Sequence, residues 1–241
     1  GGTATTPTYT VDVSTSPSFT SHVSGYPATS STSPITVSSL SASTVYYYKV
    51  QAVGACTSYA LTGSITTSCA APAAPTAMTF TNSATASSVD FTPDATTPDG
   101  YIVIRSSSVF SGSPTNGTTY SAGNSVGSNG TIVAVGASSP FMVSGLSANT
   151  QYYFTVIPYN TTNCNTPSGP HYGSALSSST ITCPATPGAV SASSVTANSM
   201  TLTWGSAIGG GASSVTYNVE VATDHAFTFP VGSTIHTTDP T

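Results

Sequence analysis

Two passages of this sequence share one pattern, and that pattern constrains the fold more than any other feature. The first passage runs from Leu40 to Ala52 and the second from Leu146 to Pro158. In both, a leucine precedes a short polar turn, a tyrosine follows six residues later, and apolar residues then recur at every second position. A period of two is typical of a β-strand with one buried face. We therefore predict two equivalent strands, each entered through the same kind of turn.

The buried face of each predicted strand follows from that period. In the first passage it consists of Tyr46, Tyr48 and Val50, and in the second of Tyr152, Phe154 and Val156. A further repeat, Tyr-x-Val-x-Val, occurs at Tyr9–Val13 and again at Tyr217–Val221. Repetition of whole strands indicates a chain built from repeated modules.

Composition excludes several classes of partner. Charged residues make up 4% of the chain, the formal net charge is −5, and Lys49 and Arg105 are the two basic side chains. A basic footprint for nucleic acid is therefore absent, as is a polybasic patch for a membrane surface. No apolar run approaches the roughly 20 residues that span a bilayer. We expect no nucleic-acid partner and no membrane insertion.

Residue patterns that carry chemistry are also missing. The sequence has no C-x-x-C pair, and its four histidines show no ligand spacing. Asp94 and Asp99 flank a loop in which a calcium site is an alternative to a simple turn. We predict no catalytic, cofactor-binding or metal-binding residues, and hence a protein that is not an enzyme and needs no cofactor.

The spacing from leucine to tyrosine resembles the corner between strands E and F of fibronectin type III domains. This resemblance implies that Tyr46 and Tyr152 are tyrosine-corner residues, whose hydroxyls bond to the nearby backbone. It also implies that Leu40 and Leu146 lie in the core. The implied fold class is all-β, with tandem immunoglobulin-like or fibronectin type III antiparallel β-sandwiches.

Two further segments extend the resemblance. Met200–Trp204 resembles the B strand of such domains, which implies that Trp204 is a core residue. The insertion Pro114–Tyr120, followed by Gly127 and Val133–Gly136, resembles a long variant found in large secreted proteins of gliding bacteria with type IX secretion. That similarity implies a secreted, extracellular protein at the cell surface, such as an adhesin.

Three modules share the chain under this interpretation. Residues 1–70 hold the late strands of one module, from C to G, and residues 71–183 hold a complete module. Residues 184–241 hold the early strands of a third, from A to C′. A partial sandwich exposes a core face and unpaired edges. Either another chain supplies the missing strands or the sequence is a window of a longer chain. We favour the window, because the two partial modules overlap.

The four cysteines predict a bond between modules. Cys56 and Cys164 follow F strands, whereas Cys69 and Cys183 end G strands. Local pairing would bridge opposite ends of a G strand, roughly 20 Å apart, but a disulfide spans at most about 7 Å between Cα atoms. In a head-to-tail array, Cys69 instead meets Cys164, while Cys56 and Cys183 bond to modules outside this fragment. Local pairing and free thiols stay as alternatives.

These features predict a structural segment of an extracellular multi-domain fibre, cell-surface adhesin or stalk. Its partners would be neighbouring modules or copies of the same chain, with surface glycans or a host or cell-surface protein as further partners. The alternative is a set of accessory modules that bind carbohydrate or protein for a secreted enzyme. In that case, Tyr47 and Tyr153 on the outer faces of the F strands would stack on sugars.

Overall fold

The structure is a computed structural model, and it describes residues 8–54, 56–164 and 168–238. These residues form antiparallel β-sheets, and no helix occurs among them. Accordingly, no helix in the described ranges is long and apolar enough to cross a membrane. The predicted all-β fold class is confirmed.

The chain divides into two compact units. The first comprises Gly1–Pro72, Thr115–Thr119 and Tyr159–Gly173, and the second comprises the remaining residues. The first unit contains one four-stranded sheet in the order β2-β1-β3-β4. Its strands are β1 (Thr8–Ser14), β2 (Ala28–Ser30), β3 (Val45–Val53) and β4 (Leu61–Thr66).

One face of this sheet carries the apolar side chains. Val11, Val13 and Tyr46 are buried there, and Leu40 and Val50 are partly buried against them. The prediction that Tyr48 is buried is wrong, because 41% of this residue is exposed. The physical reason is that a sandwich buries such a face between two sheets, and the described part of the first unit supplies one sheet.

A segment beside this face matches a strand of the second unit. Pro34–Leu40 reads Pro-Ile-Thr-Val-Ser-Ser-Leu, and Pro140–Leu146 reads Pro-Phe-Met-Val-Ser-Gly-Leu. The second copy contains a paired strand, but the first has no strand partner among the described residues. As a result, Ile35 is 37% exposed where its counterpart Phe141 is 9% exposed. The described part of the first unit thus lacks a strand with which this segment could pair.

The second unit contains two facing sheets. One has the order β10-β6-β5 and the other the order β13-β11-β7-β9-β8. Their strands are β5 (Thr76–Asn82), β6 (Ala86–Thr92), β7 (Gly100–Ser106), β8 (Ser125–Val126), β9 (Gly130–Gly136), β10 (Phe141–Ser144), β11 (Gln151–Asn160) and β13 (Leu176–Ile181). A short strand, β12 (His171–Tyr172), pairs with Tyr159 and Asn160 at the end of β11, and these four residues belong to the first unit.

The core of the second unit lies between these sheets and draws side chains from both. Phe154 and Val156 are fully buried, as predicted from the period of the strand, and Leu146 is buried beside them. Tyr152 is partly buried and packs against the same cluster. The other buried members are Val89, Phe91, Tyr101, Val103, Phe141 and Val143.

Both tyrosine corners are present. The Tyr46 hydroxyl accepts a hydrogen bond from the Ser41 amide at 2.9 Å, and the Tyr152 hydroxyl accepts one from the Ser147 amide at 2.9 Å. In each case the donor directly follows the corner leucine. The bond therefore fixes the turn that leads into the F strand.

Replacing Tyr152 by phenylalanine tests the value of this bond. We expect the free energy of unfolding to fall by about 1 kcal/mol, because the ring still packs but the Ser147 amide loses its acceptor. Urea denaturation of the two chains measures the difference. Tyr153→Phe on the neighbouring position is the control, and equal losses in both variants would contradict the corner assignment.

The last part of the second unit forms two short strand pairs. β14 (Ser191–Ser193) pairs with β15 (Thr201–Thr203), and β16 (Thr216–Val219) pairs with β17 (Ile235–Thr238). The Trp204 ring is partly buried 5.4 Å from the ring of Tyr217. The module boundaries at 70/71 and 183/184 stay predictions, since the compact units divide the chain differently.

Candidate functional site

The segment that leaves the first module, Cys69–Pro72, is covalently anchored. Cys69 and Cys164 form a disulfide with their Cα atoms 4.6 Å apart. This is the pair that strand direction predicts. Because Cys69 and Cys164 are bonded to each other, the local pairings of Cys56 with Cys69 and of Cys164 with Cys183 do not occur. The disulfide and its surroundings, residues 69–72, 115–119, 159–164 and 168–173, are called the first joint below.

Two further contacts hold the same segment. The Asn160 side-chain amide donates a hydrogen bond to the Ala70 carbonyl oxygen at 3.1 Å. Gly173 lies so close to the Pro72 carbonyl that any Cβ there would collide with this oxygen. The exit segment therefore lies against the F–G hairpin at three points over four residues.

The predicted insertion, Pro114–Tyr120, forms hydrogen bonds with this hairpin. The Gly117 amide donates to the Pro170 carbonyl at 2.9 Å, and Asn116 Oδ1 accepts from the Tyr172 amide at 2.9 Å. The Tyr172 hydroxyl in turn donates to the Thr118 carbonyl at 2.8 Å. These bonds explain why residues 115–119 and 159–173 belong to the first compact unit together with the exit segment.

Sequence reasoning did not place His171 at this joint. One of its imidazole nitrogens lies within 4.8 Å of the sulfurs of Cys69 and Cys164, and the histidine is buried. The histidine follows Cys164 closely but lies about a hundred residues beyond Cys69. No spacing in the sequence signals the cluster, because it depends on the disulfide and on the pairing of β12 with the end of β11.

Cys56 and Cys183 are exposed, and neither forms a disulfide among the described residues. Strand register places them in different settings from the bonded pair. Val45 lies opposite Thr66, and its counterpart Gln151 lies opposite Ile181. By this register, Cys183 of the second module is equivalent to Ser68 of the first, which is the residue before Cys69. The predicted bonds of Cys56 and Cys183 to other modules stay predictions.

A second joint lies within the second unit and is built around Asn149. This residue is fully buried, and its side-chain amide donates to the carbonyl oxygens of Ile208 at 2.6 Å and Ser213 at 2.7 Å. Its Oδ1 atom accepts from the Ser213 amide at 3.0 Å and from the Ser213 hydroxyl at 2.7 Å. The side-chain amide of Asn149 thus uses both its donors and its acceptor to join the E–F turn to residues 208–213. These two segments are called the second joint.

The glycines of residues 208–213 make this close approach possible. A Cβ at Gly209 would collide with the Ala148 carbonyl, and one at Gly210 would collide with the Thr150 hydroxyl. The Gly210 amide also donates to the Ala148 carbonyl at 2.8 Å. Glycine is required here because the two backbones touch.

Asp12 is the buried charge of the first unit. Its carboxylate accepts from Lys49 Nζ at 3.1 Å and contacts His22 Nδ1 at 2.8 Å, and the Lys49 ammonium also lies 4.2 Å from the centre of the Phe19 ring. Burial alone would raise the pKa of Asp12, but the hydrogen bonds from His22 and Lys49 and their charges lower this pKa below its usual value.

The sign of this shift fixes a pH dependence. A lowered pKa stabilises the folded state above the unfolded value of 3.8, and that stabilisation is lost as pH falls through the folded pKa. We expect Asp12→Asn to lower the free energy of unfolding by about 1–2 kcal/mol at pH 7. The difference from the unmodified chain should shrink below about pH 4. Thermal unfolding of both chains between pH 7 and pH 2 measures it, and a constant difference would contradict the assignment.

Asp94, for which the sequence allows a calcium site as an alternative, forms hydrogen bonds within its own turn. Its carboxylate accepts from the Thr96 hydroxyl at 2.6 Å and from the Thr96 amide at 3.4 Å. The Thr96 hydroxyl, followed by the amides of Ala95 and Thr96, lowers the pKa of this carboxyl. This geometry is that of the simple turn.

Comparison with known proteins gives similarity in structure alone. The chain is 18% identical to chicken CNTN1 FN1–FN3 domains (TM-score 0.37), covering 74% of this chain and 57% of that one. It is 17% identical to a two-domain fibronectin type III segment of chicken tenascin (TM-score 0.35; 75% and 87%) and 14% identical to titin domains A168–A170 (TM-score 0.38; 75% and 56%). No family model and no curated protein matches the chain.

The described residues are all-β, with antiparallel sheets that include the two facing sheets of the second unit. The chain spans a little over half the length of the CNTN1 and titin segments to which it is similar. Each joint combines polar side chains with closely packed glycines outside the cores, and the first joint also contains the disulfide.

Proposed function

We propose that this chain is a structural segment of an extracellular fibre, cell-surface adhesin or stalk, in which consecutive modules are held in fixed orientation. The observation that carries the proposal is the first joint, where a disulfide, an amide hydrogen bond and a glycine contact anchor the exit segment. Linkers between domains of one chain are normally mobile, because the interfaces are modest in size. A covalent tie beside the peptide connection removes most of that mobility.

The second joint supports the same role by other means. Asn149 contributes four hydrogen bonds to residues 208–213, and it is fully buried. Breaking these bonds without water entering would leave several backbone groups unsatisfied, which is costly. The contact therefore opposes bending as well as separation.

Composition fits an exposed, extracellular setting. A structural disulfide is typical of oxidising compartments. The chain has two sites for proteases that cut after basic residues, Lys49 in β3 and Arg105 in β7, and both lie within paired strands. Their side chains are engaged, Lys49 with Asp12 and Arg105 over the Tyr152 ring at 5.6 Å. A folded fibre would expose neither site as an extended loop.

We propose further that the chain is not catalytic and that its partners are other modules. The buried polar side chains Asp12 and Asn149 satisfy groups of the fold itself. Cys56 and Cys183 would bond to cysteines of neighbouring modules or of further copies, which would extend the series of tied joints.

Distances between spin labels test the stiffness of the first joint. Thr62→Cys in β4 and Ser179→Cys in β13 provide label sites in a Cys56→Ser/Cys183→Ser background, in which the native disulfide is not labelled. We expect a narrow distance distribution by double electron–electron resonance. Adding Cys69→Ser and Cys164→Ser should broaden the distribution at least twofold, because the covalent tie is lost.

A label pair inside one sandwich is the control for this experiment. Met142→Cys in β10, combined with Ser179→Cys, reports on the second unit alone, and its distribution should not change when the disulfide is removed. An unchanged width for the Thr62/Ser179 pair would contradict the proposed role. Broadening of both pairs would indicate a loss of the fold, and the fixed-orientation proposal would then fail as well.

A further inference from the structure

Three groups with metal-ligand chemistry meet at the first joint. The sulfurs of Cys69 and Cys164 and the imidazole of His171 all lie within 4.8 Å of one another. Cys164 and His171 are buried, and Cys69 is nearly enclosed. Two sulfurs and one imidazole are the ligands that zinc prefers, whereas calcium and magnesium prefer oxygen.

We propose that, when the Cys69–Cys164 disulfide is reduced, the two thiolates and His171 form a three-ligand site for Zn²⁺, with a water molecule as the fourth ligand. The disulfide and the metal ion are then alternative ties for the same joint. That the metal ion would stabilise the joint rests on the proposed structural role. The binding of the metal ion itself does not depend on that role.

The geometry is compatible with a tetrahedral ion after a small opening. Zinc lies about 2.3 Å from thiolate sulfur and about 2.0 Å from imidazole nitrogen, so two sulfurs of one tetrahedron are about 3.7 Å apart. Both cysteines lie outside the strands, Cys69 in the exit segment and Cys164 in the loop after β11. Their separation can therefore increase by about 2 Å without breaking a strand ladder.

His171 is held in place independently of the disulfide. It lies in β12, opposite Asn160 at the end of β11. Its neighbour Tyr172 is bonded to Asn116 through the backbone amide and to Thr118 through the hydroxyl. The backbone that carries the imidazole is therefore held without the disulfide, and both thiolates can turn toward this histidine.

The chemistry of the exchange is balanced. A phosphine reductant gives two electrons to the S–S bond and is oxidised to the phosphine oxide with oxygen from water, and the two sulfurs each take up one proton. Zinc binding then displaces both protons, since the thiolate is the ligand. Affinity should rise with pH for the same reason.

The test uses the 241-residue chain with Cys56→Ser and Cys183→Ser, so that other thiols are absent. After reduction with a phosphine, Co²⁺ is added as a spectroscopic probe, followed by Zn²⁺ in competition. We expect one Co²⁺ per chain, with sulfur-to-cobalt charge-transfer bands in the near ultraviolet that Zn²⁺ abolishes. The oxidised chain should show no such bands.

Histidine variants separate this site from binding by two thiols alone. We expect His171→Ala to weaken Co²⁺ and Zn²⁺ binding at least tenfold, because it removes one of three protein ligands. His225→Ala, at an exposed position in the second unit, should bind as the parent does. Equal binding by the His171→Ala variant, or equal binding by the oxidised chain, would overturn the proposal, as would an absence of cobalt–thiolate bands after reduction.

The outcome is independent of the spin-label experiment. A narrow label distribution in the oxidised chain without cobalt binding in the reduced chain would leave the structural role standing and remove the metal site. Cobalt binding that requires His171, in a chain whose label distribution is broad even when oxidised, would support the site and contradict the structural role.

Discussion

Replacing Cys69 and Cys164 together by serine should lower the free energy of unfolding by about 4–5 kcal/mol. The two residues are 95 positions apart, and the closed loop takes in just over half of the second unit. In the chain-entropy model, closing a loop of this length restricts the unfolded chain by about that amount. Differential scanning calorimetry of the double variant and the parent chain measures the loss.

Cys56→Ser/Cys183→Ser is the matched control. It also removes two sulfurs, but both residues are exposed and neither is in a disulfide among the described residues. We expect a change within about 0.5 kcal/mol, as for other surface substitutions. Comparable losses in the two double variants would show that the disulfide does not provide the stabilisation. A loss below about 1 kcal/mol for Cys69→Ser/Cys164→Ser would contradict the chain-entropy account.

Strand periodicity predicts much of the fold because the signals are local. The six-residue step from Leu146 to Tyr152 is contained in one turn and one strand, so it identifies both corners correctly. The same reasoning fails at Tyr48. Its position on the apolar face is predictable from the period of two, but its burial depends on a second sheet, and that sheet is absent from the described part of the first unit.

The joints were only partly predictable. Strand direction alone predicts that Cys69 meets Cys164, since it determines which ends of two modules share a side. Asn149 and His171 depend on contacts with residues 59 and about 100 positions away, and neither has a distinctive local pattern. The complementary glycines at 209 and 210 have meaning only after the segment they touch is known.

The E–F turn, which carries Asn149 in the second module, is built in the same way in both modules. Thr67 and Thr182 each donate a hydroxyl hydrogen bond to the backbone of the turn, at Ser41 and Ser147 respectively. Each also accepts from the turn, from the Thr44 amide in the first module and the Thr150 amide in the second. This network ties the E–F turn to the end of the G strand.

The two turns differ at one position. Ser43 and Asn149 both have positive φ, at 50° and 44°, and their amides donate to the carbonyls of Ser68 and Cys183. Asparagine tolerates this left-handed conformation and carries both a donor and an acceptor. At Asn149, the side chain therefore extends a turn of one module into a contact with residues 208–213.

Asn149→Ala is the second substitution for which we expect a large effect, a loss of about 3 kcal/mol. It removes four part-buried hydrogen bonds to Ile208 and Ser213, and a typical intramolecular hydrogen bond contributes about 0.5–1.5 kcal/mol. Asn163→Ala is the matched control, because Asn163 also has a positive φ, of 60°, but is exposed. Alanine costs about 1–2 kcal/mol at either position for the backbone alone, so the difference between the variants measures the buried contact.

Amide hydrogen exchange should accelerate at Ser213 and Ala212 in the Asn149 variant alone. Equal losses in the two variants, or unchanged exchange at these amides, would show that the second joint is held by something other than this side chain.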